Sequence, residues 1–420
     1  MLETLRNAWK IADLRKKMLF TLLVLFIYRV GAHVPVPGVN TADLSSAMVN
    51  NGLLELMNLF NGGALESFTV FATGITPYIT ASIVIQLLTV AIPKLEQLSK
   101  EGEEGRKKIN QYTRIVGIAL AVLTSIGTTI SMQAQYGILT NPSWYTYLFI
   151  AIIHAAGTAF TMWCGERITE RGIGNGISLL IFINIVSTVP GMVRTIFLNM
   201  AAGTLSWLWL PVLILMVLVI IVAIIWMDLG ERRIPVQYAK RVIGRRQYGG
   251  QSTYLPLKVN STGVMPLIFA STILQFPTML LMIWPNWGFT QWWNRVMSST
   301  SPWYAIVMTL LIIGFAYFYS AISFNPVELS KNIQQQGGFI PGIRPGKPTS
   351  DYLQKIVNRV ILFSALFMAV LALIPMLIGN VLNISGFAAT SMLILVSVSL
   401  ETSKQIESQL LVRNYKGFMK

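Results

Sequence analysis

Ten stretches nearly free of charge recur along this chain of 420 residues, approximately at 18–36, 74–93, 115–132, 144–164, 176–193, 208–227, 263–284, 303–322, 360–378 and 384–400. Each approaches the ~20 apolar residues that a helix needs to cross a bilayer. In hydrocarbon every backbone amide must be paired within the protein, so such segments are helices or strands of a closed barrel. The stretches lack the alternation of a barrel strand, which leaves helices. The expectation is an all-α polytopic membrane protein with ten transmembrane helices.

The segment GITPYITAS at 74–82 returns as GVMPLIFAS at 263–271, with Gly, Pro, Ile, Ala and Ser at matching places. The two copies fall second among the first five spans and second among the last five, the mark of a duplicated chain. All lysines and arginines except Arg29, Arg194 and Arg295 lie on one set of loops: 1–17, 94–114, 165–175, 228–262, 323–359 and 401–420. Positive charge stays on the cytoplasmic side, so both termini are expected there. Five spans per half is an odd number, which turns the halves into inverted repeats about an axis in the membrane plane. The expected parts are a segment 1–17, a first half 18–200, a second half 201–402 with long cytoplasmic loops 228–262 and 323–359, and a tail 403–420. The apolar run after Lys17 leads into Arg29, Gly31 and His33 rather than a small-residue cleavage site, so it is expected to be kept as a span.

What the spans lack narrows the function. Hydrophobic residues make up 54% of the chain and charged ones 12%, and only His154 lies well inside a span, with Arg29 at an edge. Ion-coupled transporters keep ionisable groups in the bilayer as relays. A lone His154 reads as a hydrogen-bonded packing residue. A solute transporter with inverted repeats and helices broken at Pro77 and Pro266 shares the architecture but lacks a coupling charge. GIRPGKPT has Pro341 where a phosphate loop needs its first glycine and Pro348 after Lys347, and ERGIGNG lacks the preceding strand of a dinucleotide site. Cys164 is single and the two histidines are far apart, so no metal site, cofactor or enzymatic chemistry is expected.

Three loops stand out. In 37–73, the run LLELMNLF is too short to span, yet Leu53, Met57, Phe60 and Ala64 share one helical face, followed closely by Gly62 and Gly63. A short helix at membrane depth must be buried in protein or line a cavity, so it is expected to fold back into the bundle. The loops 228–262 and 323–359 far exceed the few residues that a connection requires and read as a docking platform. In 1–17, Leu2, Leu5, Trp9 and Ala12 fall at helical spacing among basic residues, which suits a helix lying on an anionic membrane face.

The motifs YRVGAHVPVPGV at 28–39, FNGGAL at 60–65, GITPYITASIVIQLL at 74–88, EGEEGRKKINQYTR at 101–114, GERITERGIGNGIS at 165–178, QSTYLPLKVN at 251–260 and PGIRPG at 341–346 together resemble the bacterial SecY family, over essentially the whole chain. The family forms the central subunit of the protein-conducting translocon of the bacterial inner membrane. The resemblance implies two five-helix halves around a central pore, through which unfolded secretory polypeptides pass and from which hydrophobic segments leave sideways into lipid. By motif match the family's apolar pore ring falls on Ile75, Ile79, Ile177, Ile181, Ile268 and Ile394, and its plug on about 53–68, with Leu53, Met57, Phe60, Gly62, Gly63 and Ala64. A lateral gate is implied between spans 2 and 7, with Ser82, Gln86, Thr272 and Gln275 along the seam. Energy is implied to come from outside, from the SecA ATPase or a translating ribosome, with SecE and SecG as companion subunits. Arg232, Arg233, Lys240, Arg245, Arg246 and Arg344 are the expected partner contacts.

Overall fold

A computed structural model describes residues 2–40, 61–203, 206–238, 241–243, 246–248, 252–283, 287–297, 301–382 and 389–417. In chain order the helices begin with α1 (Leu2–Lys10), α2 (Ala12–Gly31), α3 (Thr76–Ala91), α4 (Pro93–Lys100), α5 (Glu103–Tyr136), α6 (Trp144–Arg171), α7 (Gly176–Ala201) and α8 (Trp209–Leu229). Four strands follow, β1 (Glu231–Tyr238), β2 (Arg241–Ile243), β3 (Arg246–Tyr248) and β4 (Ser252–Lys258). Then come α9 (Met265–Ile283), α10 (Gly288–Val296), α11 (Pro302–Ser323), α12 (Pro326–Gln335), β5 (Gly338–Phe339), α13 (Lys347–Leu382) and α14 (Ala389–Gly417). A helix stands at each of the ten expected spans. Among the described residues six are long and apolar enough to cross a membrane, seven when the bent pair α3–α4 is counted as one span. Helices also stand at the other three positions, as α2, α9 and α14; α2 includes Arg15, Lys16, Lys17 and Arg29.

Apolar composition located the spans but not their ends. The 34 residues of α5 rise about 51 Å at 1.5 Å per residue. That exceeds a hydrocarbon core of ~30 Å, so its charged first turns leave the bilayer. The 36-residue α13 does the same, and α14 continues through the expected tail as far as Gly417. The expected loops 94–114 and 323–359 are therefore partly helical. Segment 1–17 is two pieces: α1 ends at Lys10, and α2 already begins at Ala12.

The chain divides into two compact units. The first comprises residues 1–212, 272–304 and 375–420. One of its apolar cores unites Val36, Leu65, Phe68 and Ala72 with Met132, Ile138, Leu139 and Ile150. Backbone bonds from Val36 N to Phe68 O (3.1 Å) and from Val70 N to Val34 O (3.0 Å) tie the exit of α2 to the segment before α3. Another core joins Ala8, Leu14, Ile173 and Ile406, so α1 packs inside the protein on α2, on the turn after α6 and on α14. This differs from a helix resting on the membrane alone: Ala8, between the hydrophobic anchors, is fully buried.

The second unit comprises residues 213–271 and 305–374. Here the first long loop is a β-hairpin rather than irregular chain. β1 pairs antiparallel with β4, Ile234 opposite Leu255, and β5 adds to the other edge of β1. Alternate residues Ile234 and Val236 point inward, and with Leu257 they pack on Ile333 of α12, Ile340, and Leu353, Val357 and Ile361 of α13. The two long loops thus share one hydrophobic core. β2 and β3 form a separate short ribbon.

Candidate functional site

The duplicated motif encodes the same backbone turn twice. Gly74 and Gly263 both take left-handed conformations, with φ +53° and +60°, which side chains other than glycine rarely adopt. Two residues later each helix begins, with Pro77 and Pro266 second in α3 and α9. Proline suits that place, because a first-turn amide has no intrahelical acceptor. Neither proline breaks a helix, as the transporter reading required of them. The Ile75 carbonyl accepts from Tyr78 N and Ile79 N at 3.1 Å, and the Val264 carbonyl from Leu267 N and Ile268 N at 3.2 Å. Ile79 and Ile268 occupy the same place in the two turns, one bond into the helix.

Of the other candidate ring residues, Ile75 directly precedes α3 and is buried. Ile177 and Ile181 lie one turn apart on α7, half-buried and buried, and Ile394 is buried on α14, which packs against α7. The start of α7 is fixed by Asn175, whose side-chain oxygen accepts from Ile177 N (3.1 Å) and Ser178 N (3.4 Å). Ile177 also rests on Gly165 of α6, where a Cβ would come within 3.2 Å of its Cγ1. Ile268 is buried in the second unit.

Before α3, residues 61–75 run as successive turns, and most of them are buried. Ala64 lies in these turns rather than on a helical face, Gly62 and Gly63 lie in them too, and Leu53, Met57 and Phe60 fall outside the described residues. Polar groups hold the segment from three sides. Arg29 of α2 donates from Nη1 to the Gly62 carbonyl at 3.0 Å, and Ser187 of α7 reaches the same oxygen at 3.5 Å. Asn61 donates to the Ala72 carbonyl at 2.7 Å and accepts from Thr76 at 3.3 Å. Thr158 of α6 donates to the Gly74 carbonyl at 3.1 Å and bonds Thr73 at 3.0 Å. Asn184 donates to the Tyr28 hydroxyl at 2.8 Å, and Tyr28 stacks on Phe71 with centroids 5.3 Å apart. His154 is fully buried, with Nδ1 2.7 Å from Ser125 Oγ and its ring 5.2 Å from that of Phe68.

On α3, Gln86 donates to Ser82 one turn back at 3.3 Å. Thr272 is half-buried on α9, and the Gln275 side chain lies outside the described residues. Arg232 and Arg233 are exposed on successive positions of β1, hence on opposite faces, and Arg233 Nε stands 3.8 Å from Glu231. Lys240, Arg245 and the Arg246 side chain lie outside the described residues. Arg344 is exposed in a turn built around Gly342 and Gly346, both left-handed. Its carbonyl accepts from Thr349 Oγ1 and that of Gly346 from Ser330 Oγ, each at 2.8 Å, while neighbouring Ile343 packs on the core of the second unit. The guanidinium is thus carried on a turn pinned from beneath.

Residue-by-residue reading missed the set Arg29, Asn61, Thr158, Asn184 and Tyr28. Asparagine and threonine at matching depth in separate spans were the available signal, since buried polar groups need partners. Among the described residues no three His, Cys, Asp or Glu converge as metal ligands.

A family model described as SecY matches residues 69–403. The protein translocase subunit SecY of Streptomyces scabiei is 45% identical over 440 residues, covering all of both chains. Its counterpart in Mycobacterium tuberculosis (strain ATCC 25618 / H37Rv) is 44% identical over 448 residues, again over all of both. Among solved structures, one described as a protein conducting channel superposes with a TM-score of 0.68 at 19% identity, covering 93% of this chain and 91% of that one. Sec61 in a canine ribosome-channel complex gives 0.64 at 18%, with the same coverage. At those identities the structural likeness establishes the fold.

Proposed function

The chain belongs to the SecY family and is a protein-conducting translocation channel, and from that premise we propose how its residues divide the work. Ile75, Ile79, Ile177, Ile181, Ile268 and Ile394 form the constriction. The observation that carries this is the repeated turn, which delivers Ile79 and Ile268 from equivalent positions of two duplicated segments. A ring of aliphatic side chains sheds water and blocks ions, yet binds no particular peptide sequence. An unselective seal suits a channel whose cargo has every composition.

The segment about 53–68 is the plug, and its last residues and the turns after them are tied to α2, α6 and α7 through the contacts of Gly62 and Gly74. Ser82, Gln86, Thr272 and Gln275 line a seam between α3 and α9 that opens to lipid. A segment in transit then partitions by its own hydrophobicity: each Leu-type residue favours insertion by about 0.3–0.6 kcal/mol, and a central charge opposes it by about 2.5–3.5 kcal/mol. Arg232, Arg233, Lys240, Arg245, Arg246 and Arg344 receive the SecA ATPase or a ribosome, and SecE and SecG complete the complex. Both termini face the cytoplasm of a bacterial cell, as the loop charges support.

A photocrosslinker at Ile79, with a lipid-facing control at Leu218 of α8, tests the ring in vesicles containing SecE, SecG, SecA and a stalled precursor. An ATP-dependent crosslink at Ile79 alone is expected. Its absence where SecA demonstrably binds overturns the ring assignment. A disulfide locking α3 to α9 is expected to block membrane insertion, and normal insertion would remove the seam.

A further inference from the structure

Between the seventh and eighth spans, α10 carries a surface that neither the channel nor its docking loops use. Successive residues of a helix turn by ~100°, which places Phe289, Trp292, Trp293 and Val296 within one arc and Gln291 and Arg295 on the other. Two large rings of the apolar arc are open to the surroundings, Phe289 at 41% and Trp292 at 53% exposure, while Trp293 and Val296 are half-buried. Its rings form a continuous cluster, with Trp287 to Phe289 at 5.4 Å, Phe289 to Trp292 and to Trp293 at 6.1 Å, and Trp292 to Trp293 at 6.4 Å. A soluble loop does not hold such a patch in water without an occupant.

We propose that α10 is an interfacial anchor whose aromatic arc lies in the headgroup region of the leaflet that the loop charges assign to the non-cytoplasmic side. Chain length supports lipid as the occupant. Residues 284–287 join α10 to α9, and 297–301 join it to α11. Four and five residues reach at most ~14 Å and ~18 Å, so the helix cannot stand far from the two spans that it connects. Its patch is thereby tethered close to the chain ends at which those spans leave the hydrocarbon. The chemistry is also interfacial: tryptophan gathers at the membrane–water boundary, where an apolar ring and a polar N–H are both satisfied. Arg295 is the only charged residue between Ile283 and Pro302, placed to meet phosphates from the polar arc. Trp303, 60% exposed at the start of α11, extends the aromatic belt.

Single nitroxide labels at Phe289, Gln291, Trp292, Trp293 and Arg295, in a Cys164→Ala background and in vesicles of phosphatidylethanolamine and phosphatidylglycerol, test the anchor by power saturation. Labels at 289, 292 and 293 are expected to be relaxed by oxygen and those at 291 and 295 by a water-soluble nickel complex. Exposure of all five to nickel means a solvated helix and overturns the proposal. Shielding of 289, 292 and 293 from both reagents means a protein occupant, a second copy or a polypeptide, and overturns it equally. Should a labelled variant not fold, tryptophan quenching by brominated lipid, compared between the unlabelled protein and W292F/W293F, reads the same contact. A smaller quenchable fraction in the variant is expected; an unchanged one rejects lipid contact at the arc.

Discussion

Arg29 Nη1 lies 3.0 Å from the carbonyl oxygen of Gly62, so the one cation at the edge of the first span is spent on the backbone of the segment that leads into the second. The glycine is required for this contact. Its φ is +66°, and a Cβ there would stand 2.6 Å from Arg29 Nη1 and 2.8 Å from Asn184 Oδ1. The charge that stands apart from the cytoplasmic clusters in the sequence is a structural tie.

Replacing Arg29 with Met removes that tie while keeping much of the packing. A hydrogen bond to a charged group contributes about 1.5–3 kcal/mol, so amides of residues 61–75 should exchange with deuterium about ten to a hundred times faster. Arg29→Lys should fall between, because an ammonium can reach the oxygen without the guanidinium's second donor set. Exchange mass spectrometry on the reconstituted protein reads this, and unchanged protection in Arg29→Met would show that the contacts of Ser187, Asn61 and Thr158 hold the segment without it.

The two repeat glycines separate conformation from crowding. Gly74→Ala and Gly263→Ala both force alanine into the left-handed region, at about 1–2 kcal/mol. Only at Gly74 is there an obstacle, since its Cβ would run into the Asn61 side chain, whereas Gly263 has open space. Gly74→Ala should therefore lower the melting temperature clearly more than Gly263→Ala. Equal losses would mean that Asn61 yields.

The helices were legible because a bilayer imposes one simple rule on composition: all ten positions hold helices, and among the described residues six of these are long and apolar enough to cross a membrane, seven with the bent pair counted as one span. The inward alternation of Ile234 and Val236 was equally present in the sequence but was overshadowed by the surrounding arginines, so a hairpin passed for a loop. The ends of α5 and α13 were not legible, because helical bonding does not stop where hydrocarbon does. Nor was the pairing of Tyr28 with Asn184, which lie 156 residues apart and meet only through the fold. The ring residues stand apart from these: isoleucine is ordinary in every span, and family resemblance alone singled out these six.

Glu166 holds Arg114 through two bonds of 2.7 and 2.6 Å, linking α5 to α6 at their charged ends. The pair is partly exposed, so its net contribution is about 0.2–1 kcal/mol and declines with salt. Glu166→Gln should reduce stability by that amount at low ionic strength, and the exchange Arg114→Glu with Glu166→Arg should recover part of it. A double-mutant cycle in detergent measures the coupling, and a value that is independent of salt would contradict an exposed pair.

Charge reversal at Arg344 is expected to abolish ATP-driven export while the protein still assembles, because the side chain is exposed and the turn is held by backbone and Thr349 contacts that the mutation leaves intact. Normal export from Arg344→Glu would remove it from the partner surface.

The same core that seats the β1–β4 hairpin also seats Ile343 beneath that turn, so the surface carrying Arg344 should fail when the core is opened from the far side. Ile234→Ala deletes a buried side chain of β1, a change that costs about 2–5 kcal/mol in well-packed cores. Gln237→Ala, on the exposed face of the same strand, should cost under about 0.5 kcal/mol. The expected result is protease cleavage within 228–262 and weakened motor coupling in Ile234→Ala, with neither in Gln237→Ala. If Ile234→Ala were cleaved yet exported normally, the hairpin and the Arg344 turn would be independent, and the shared core would serve folding alone.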